Sequence, residues 1–103
     1  MPANAMICTA ISSMKVIEFG YADKKGNFHH REVEPYAHGV TKRGRDALRG
    51  RQIGGTSESG TLGWRIFLIE RMTGLKITNR PFTIHPEYAH GDEDLNPIYC
   101  RIP

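Results

Sequence analysis

The sequence predicts a mainly β domain of the α+β class: a short N-terminal helix followed by a small antiparallel β-barrel or rolled sheet. Three observations carry that expectation. Short segments rich in β-branched and aromatic residues recur at a spacing of roughly 12 residues. Clusters of Gly, Asn, Asp and Ser punctuate them. A single stretch near the start has helical rather than alternating periodicity. With 103 residues the chain is expected to be one domain, 1–103, long enough to bury a core of its own.

Taken in order, Asn4 to Met14 reads as the helix, because Ile7, Ala10, Ile11 and Met14 fall on one face and Asn4 is a suitable cap. Lys15 to Tyr21 alternates Ile17, Phe19 and Tyr21 against Val16, Glu18 and Gly20, the pattern of a strand. "ADKKGN" supplies a turn with Gly26 available for a positive φ. Phe28 to Val40 is a second strand, with Arg31, Val33 and Pro35 on one face. Pro35 has no N–H to give a ladder, so the strand is expected to end, bend or lie at an edge there. Asp46 to Gly55 is a third strand, with Ala47, Arg49 and Arg51 on one side and Leu48, Gly50 and Gln52 on the other. The glycine-rich segment from Gly54 to Gly63 is expected to be the least ordered internal loop. Trp64 to Arg71 is the most apolar strand, Met72 to Phe82 a turn or short fifth strand, and 83–103 an irregular acidic tail ending in a short apolar "IYC". Ile17, Phe19, Val33, Leu48, Ile66, Leu68 and Phe82 are the expected core, with Trp64 partly buried.

Composition narrows the class of function. A chain that is 39% hydrophobic and 24% charged is an ordinary folding sequence, not a disordered one. No apolar run approaches the roughly 20 residues of a membrane span, and the start lacks a signal-peptide pattern, so a cytoplasmic protein without membrane association is expected. In that compartment Cys8 and Cys100 are expected to be reduced, small, buried or half-buried side chains. The net charge is +3, and its distribution matters more than its size. Thr41 to Arg71 carries seven cations against three carboxylates, whereas Glu87 to Asp94 carries four acids and no Lys or Arg. Such asymmetry points to an anionic partner for the middle of the chain.

Within "KRGRDALRGRQIGG", Arg49 and Arg51 alternate onto one face about 7 Å apart, and the forked guanidinium suits phosphate. Arg31 and Arg65 lie on other strands, with Gln52 beside them, and Tyr21 and Tyr36 offer stacking surfaces for a base. The ligand-binding set is therefore Arg31, Arg49, Arg51, Arg65, Gln52 and Tyr21, with Arg49 and Arg51 expected to converge with Arg31 or Arg65 on one concave surface. The alternative is a soluble rim in which these arginines pair with Glu32, Glu34 or Glu70. "GGTSESG" lacks the Gly-Lys-Ser/Thr ending of a phosphate loop. His29 and His30 are adjacent in a strand and face opposite ways, and His85, Glu87, His90 and Asp92 sit on no helix that would fix them as ligands. No metal, cofactor, catalytic residue or enzymatic activity is expected.

"AISSMKVIEFGYADKKGNFHHREVEPYAHGV" resembles the first half of a WYL domain, with Ala10, Ile17, Tyr21, Gly26, Arg31, Val33 and Pro35 matching. "WRIFLIERMTGLKITNRPF" is similar to that family's later strand and terminal Phe through Arg65, Phe67, Ile69 and Phe82. The Trp-Tyr-Leu triplet would fall at Asp46, Ala47 and Leu48, so Leu48 alone survives. The resemblance spans about 10–82 and identifies a divergent, stand-alone WYL-like module without the winged-helix domain often found upstream. It implies an Sm/SH3-like β-barrel and a ligand-sensing role of the kind found in bacterial transcription regulators and phage-defence systems. The ligand it implies is a nucleotide or single-stranded nucleic-acid fragment. The runner-up is a structural or interaction domain that pairs with itself as a homodimer or docks an acidic partner. A nuclease-like hydrolase, resting on Glu70 and Glu32, comes third.

Overall fold

The computed structural model describes residues 4–56, 62–88 and 92–103. Helix α1 (Ala5–Ser13) begins where the Asn4 side chain accepts a hydrogen bond from the Ile7 N–H and stops at Met14, whose left-handed φ of 54° turns the chain into the first strand. Its buried face is Ile7, Ala10 and Ile11, as the spacing predicts. Strands β1 (Lys15–Ala22), β2 (Phe28–Val40) and β3 (Asp46–Gly55) form an antiparallel meander continued by β4 (Gly63–Leu68). A three-residue 3-10 turn, Ile69–Arg71, leads into β5 (Met72–Pro81), which returns to pair with β1, and β6 (Ile98–Arg101) pairs with β2.

The protein is thus mainly β: a six-stranded antiparallel sheet in the order β4-β3-β2-β1-β5, with β6 added on β2, and one short helix. Among the described residues no ladder joins β4 to β5, so the sheet is not closed. Side chains tie β4 to β1 instead. The Tyr21 hydroxyl of β1 accepts a hydrogen bond from the Leu68 N–H at the end of β4 (2.8 Å), and the rings of Phe19, Tyr21 and Phe67 meet edge to face.

Pro35 neither ends β2 nor sits at the sheet's margin. It lies between two ladders: pairing with β1 reaches Val33 and pairing with β6 begins at Ala37. Its missing donor therefore falls in a gap, and the β2–β3 register shifts at the same place.

Cross-strand register fixes which side chains share a face. Leu48 sits opposite Phe67 and Gly50 opposite Arg65, defining what we call the inner face of β3 and β4; Ala47 opposite Leu68 and Arg49 opposite Ile66 define the outer face. The main core joins α1 to Val16, Ile17, Phe19, Val33, Tyr36, Leu48, Phe67, Phe82 and Ile102. A second cluster, Ala37, Ala47 and Leu95 with half-buried Ile66, Leu68 and Ile98, lies on the outer face. Two core expectations are corrected accordingly. Ile66 and Leu68 are half-buried under this second cluster, and Phe67 is the fully buried residue of β4. Trp64 is half-buried, as expected.

Of the two readings of Met72 to Phe82, a turn or a short fifth strand, the strand holds: β5 runs ten residues along the open edge of β1. Two further expectations change. The acidic tail is no loose end: Leu95 and Ile102 are buried and β6 joins the sheet. Cys8 and Cys100 form a disulfide instead of remaining reduced, since pairing of β6 with β2 carries Cys100 to α1, with 5.8 Å between the two Cα atoms. The central part of the Gly54–Gly63 loop, residues 57–61, lies outside the described residues; Gly54 and Gly55 belong to β3 and Gly63 to β4.

Candidate functional site

The expected arginines separate instead of converging, because alternation puts them on different faces. On the inner side Arg31 is 5% exposed. Its Nη1 donates to Gln52 Oε1 at 3.0 Å, and its guanidinium stands 5.6 Å from the centre of the Tyr21 ring. The Gln52 amide in turn donates to the carbonyls of Gly54 and Thr56. Arg31, Gln52 and Tyr21 are therefore brought together, and the register aims Arg65 at that same face.

Arg49 and Arg51 project outward, each against carboxylates. Arg49 Nε donates to Asp92 Oδ2 at 2.7 Å, and Nη2 reaches Asp94 Oδ2 at 2.6 Å. Burial opposes the charge on Arg49, but the hydrogen bond and field of Asp92, with Asp94 behind, outweigh it and raise its pKa. Burial likewise pushes the Asp92 carboxyl up, but the Arg49 hydrogen bond, the Asp94 N–H and the Arg49 charge together outweigh it, so the carboxyl sits below its ordinary value. Arg51 Nη1 lies 3.7 Å from Glu34 Oε1. The single concave four-arginine surface is corrected to two groups on opposite faces, one of them compensated by acids. The alternation was legible; the partners of Arg49, some 43 residues away, were not.

A different set of cations surrounds a real cavity. About 440 Å³ of space is lined by Thr41, Lys42, Arg43, Arg45, Ile66, Leu68, Arg71 and Asp94. The β2–β3 turn builds one wall: the Thr41 and Arg45 backbones pair, the Gly44 N–H donates to the Thr41 carbonyl, and Gly44 takes a φ of 80°. Lys42 and Arg43 are thereby held exposed at the corner. Arg71 enters from the 3-10 turn, and Ile66 and Leu68 form an apolar floor. Arg45 pairs with Glu70, but among the described residues Lys42, Arg43 and Arg71 belong to no ion pair. This arrangement suits an anion that also carries an apolar or aromatic portion. The expected set omitted these residues; the signal was the basic run before Asp46 with a glycine in it, the mark of a tight hairpin.

Beside it lies a second cavity of about 340 Å³, lined by Arg49, Trp64, Glu87, Tyr88, Asp92, Glu93 and Asp94. Trp64 and Tyr88 stack there with 5.8 Å between ring centres and 27° between planes, and Tyr36 abuts both at 4.7 and 4.6 Å. Tyr36 is thus a core ring with its hydroxyl held by the Thr83 carbonyl and the His85 N–H, not a free stacking surface. Burial, then the charge of Asp92, raises the Tyr88 pKa. Of the histidine and acid grouping in this stretch, His90 lies outside the described residues, and His85 Nδ1 is 3.8 Å from Glu87.

No protein-family description matches the chain, and no curated protein matches it. In fold the chain is similar to a segment of "Proteasome accessory factor B/C (PafBC) of Arthrobacter aurescens", with a TM-score of 0.68 and 24% identity over 86% of this chain. It covers 14% of that protein's length, so the likeness is one of a single module's fold.

Proposed function

We propose that this domain is a non-catalytic, ligand-sensing regulatory module of WYL type, whose ligand bears a phosphate: a nucleotide or a short single-stranded nucleic acid. The cavity of Lys42, Arg43 and Arg71 over Ile66 and Leu68, with Arg45 already held by Glu70, carries this reading, because unpaired cations held together repel one another unless an anion joins them. The fold agrees. The chain is similar in fold to a segment of PafBC, and we read the curled sheet, with its end strands joined by one 3-10 turn, as an Sm/SH3-like barrel left unclosed.

The test is a thermal-shift and titration screen of nucleotides and short oligonucleotides at low and physiological salt. Binding should stabilise the protein, weaken as salt rises, and fall by roughly 1–3 kcal/mol in Arg43→Ala with Arg71→Ala, as expected for lost charge-assisted hydrogen bonds. If Arg65→Ala removes binding while the Arg43/Arg71 pair does not, the ligand belongs to the inner-face group of Tyr21, Arg31, Gln52 and Arg65. No stabilisation by any phosphate-bearing compound rejects the proposal.

A second reading rests on the sheet's free margins. Among the described residues the outer edges of β4 and β5 have no strand beside them, which suits pairing with a second copy or another chain. Concentration-dependent mass in sedimentation, unaffected by phosphate ligands, would favour it.

A further inference from the structure

The second cavity calls for a guest of the opposite sign. Its lining carries one guanidinium, Arg49, against four carboxylates, Glu87, Asp92, Glu93 and Asp94. Arg49 is already held by Asp92 and Asp94, so it has little left to offer an anion. Glu87 and Glu93 are exposed at the cavity. Acids alone would make only a solvated rim. Here they border a wall of stacked Trp64 and Tyr88, with Tyr36 behind both rings. An aromatic face carries a negative quadrupole, which attracts a cation most strongly when the rings exclude water from one side of it.

We infer that this cavity is a binding site for an alkylammonium group. The rings receive the methylenes and one face of the cation, while the exposed Glu87 and Glu93 take its N–H donors and charge. The volume of about 340 Å³ accommodates a chain of a few methylenes ending in an ammonium, such as one end of a polyamine or a lysine side chain. These two sources share the chemistry that the site reads. Asp94 lines both this cavity and the basic one, so an anion in one and a cation in the other would stand on either side of a single carboxylate.

Trp64 is the chain's one tryptophan, and its fluorescence therefore reports the cavity directly. The probes are spermidine, a blocked lysine amide and a short lysine-bearing peptide, each titrated against potassium chloride of equal ionic strength. Saturable change with the ammonium compounds beyond that of the salt is expected. Glu87→Gln with Glu93→Gln, both at exposed positions, should raise the midpoint at least roughly fivefold, while the melting temperature and the response to inorganic phosphate stay unchanged. Tighter binding of the peptide assigns the guest to a partner's side chain; tighter binding of spermidine assigns it to a free polyamine. A response equal to that of potassium chloride, or one indifferent to the double Gln substitution, overturns the inference.

Discussion

Replacing Arg49 by Ala should unsettle the fold more than it alters ligand binding. The side chains of Arg49 and Asp92 are 19% and 7% exposed, so the substitution strands a carboxylate that has little water to fall back on. Removing one partner from a fully buried pair costs about 3–5 kcal/mol. This pair borders an open cavity, which places the cost at the lower end, and the exposed Asp94 contact adds about 0.5 kcal/mol. A total of about 3–4 kcal/mol corresponds to a fall in Tm of roughly 12–30 °C for a domain of this size. Calorimetry or circular dichroism melts read it, with Asp94→Asn as a control expected to move Tm by no more than a few degrees. The effect has a pH signature. The Asp92 carboxyl lies below its ordinary value in the folded protein because Arg49, with the Asp94 N–H, outweighs the effect of burial. Its stabilisation is present above the unfolded-state pKa and is lost as pH falls through the folded one. The gap between wild type and Arg49→Ala should therefore be widest near neutrality and narrow below about pH 4. If Arg49→Ala melts within about 2 °C of wild type and instead loses phosphate binding, Arg49 faces a ligand and the clasp is irrelevant.

Three other outcomes follow from the structure. Cys8 and Cys100 are 92 residues apart, so reduction, or Cys8→Ser with Cys100→Ser, should cost up to about 4–5 kcal/mol on the chain-entropy model; a melt indifferent to reductant would show the thiols unpaired. Gly55 has a φ of 84° and its added Cβ would run into the His30 carbonyl, whereas Gly26, at 86°, faces open space. Gly55→Ala should thus destabilise by clearly more than the roughly 1 kcal/mol of Gly26→Ala, and equal urea midpoints would refute the difference. The His29 hydrogen bond, assisted by the Lys25 and Asn27 N–H groups, lowers the Asp23 pKa to about 2. Carboxyl NMR should place its midpoint there and find it raised in His29→Ala; its stabilising contribution is present above the unfolded pKa of about 3.9 and lost as pH falls through about 2.

What could be read from the sequence was what depends on neighbours. The helix spacing of Ile7, Ala10 and Ile11, and the limits of β2 and β3, follow from periodicity and turn residues a few positions apart, and they match the observed elements. What escaped depends on distant pairing. Phe67 is the buried residue of β4, with Ile66 and Leu68 half-buried, because the tail brings Leu95 across to the other face. Alternation gives two faces and does not say which of them a remote segment will cover. Met72–Pro81 reads from its own residues as either a turn or a short strand, and the edge of β1 decides for a strand of ten residues. Cys8 and Cys100 meet through the pairing of β6 with β2, and nothing near either cysteine announces that pairing.

Charge shows the same division between local and distant information, and it bears on function. The basic middle and acidic end of the chain read naturally as one surface awaiting an external anion. In the folded protein part of that asymmetry is satisfied internally, as Asp92 and Asp94 close on Arg49 and Glu34 on Arg51. Internal pairing does not exhaust the positive charge. Lys42, Arg43 and Arg71 remain around an apolar floor, while Glu87 and Glu93 remain beside the stacked rings. Charges left over after a chain has folded are costly to gather unless something outside compensates them. These two groups of opposite sign lie in adjoining cavities that share Asp94. The candidate surface of this domain is therefore found by subtracting the pairs the fold makes for itself, and it points to an anion at the β2–β3 turn with a cation beside Trp64.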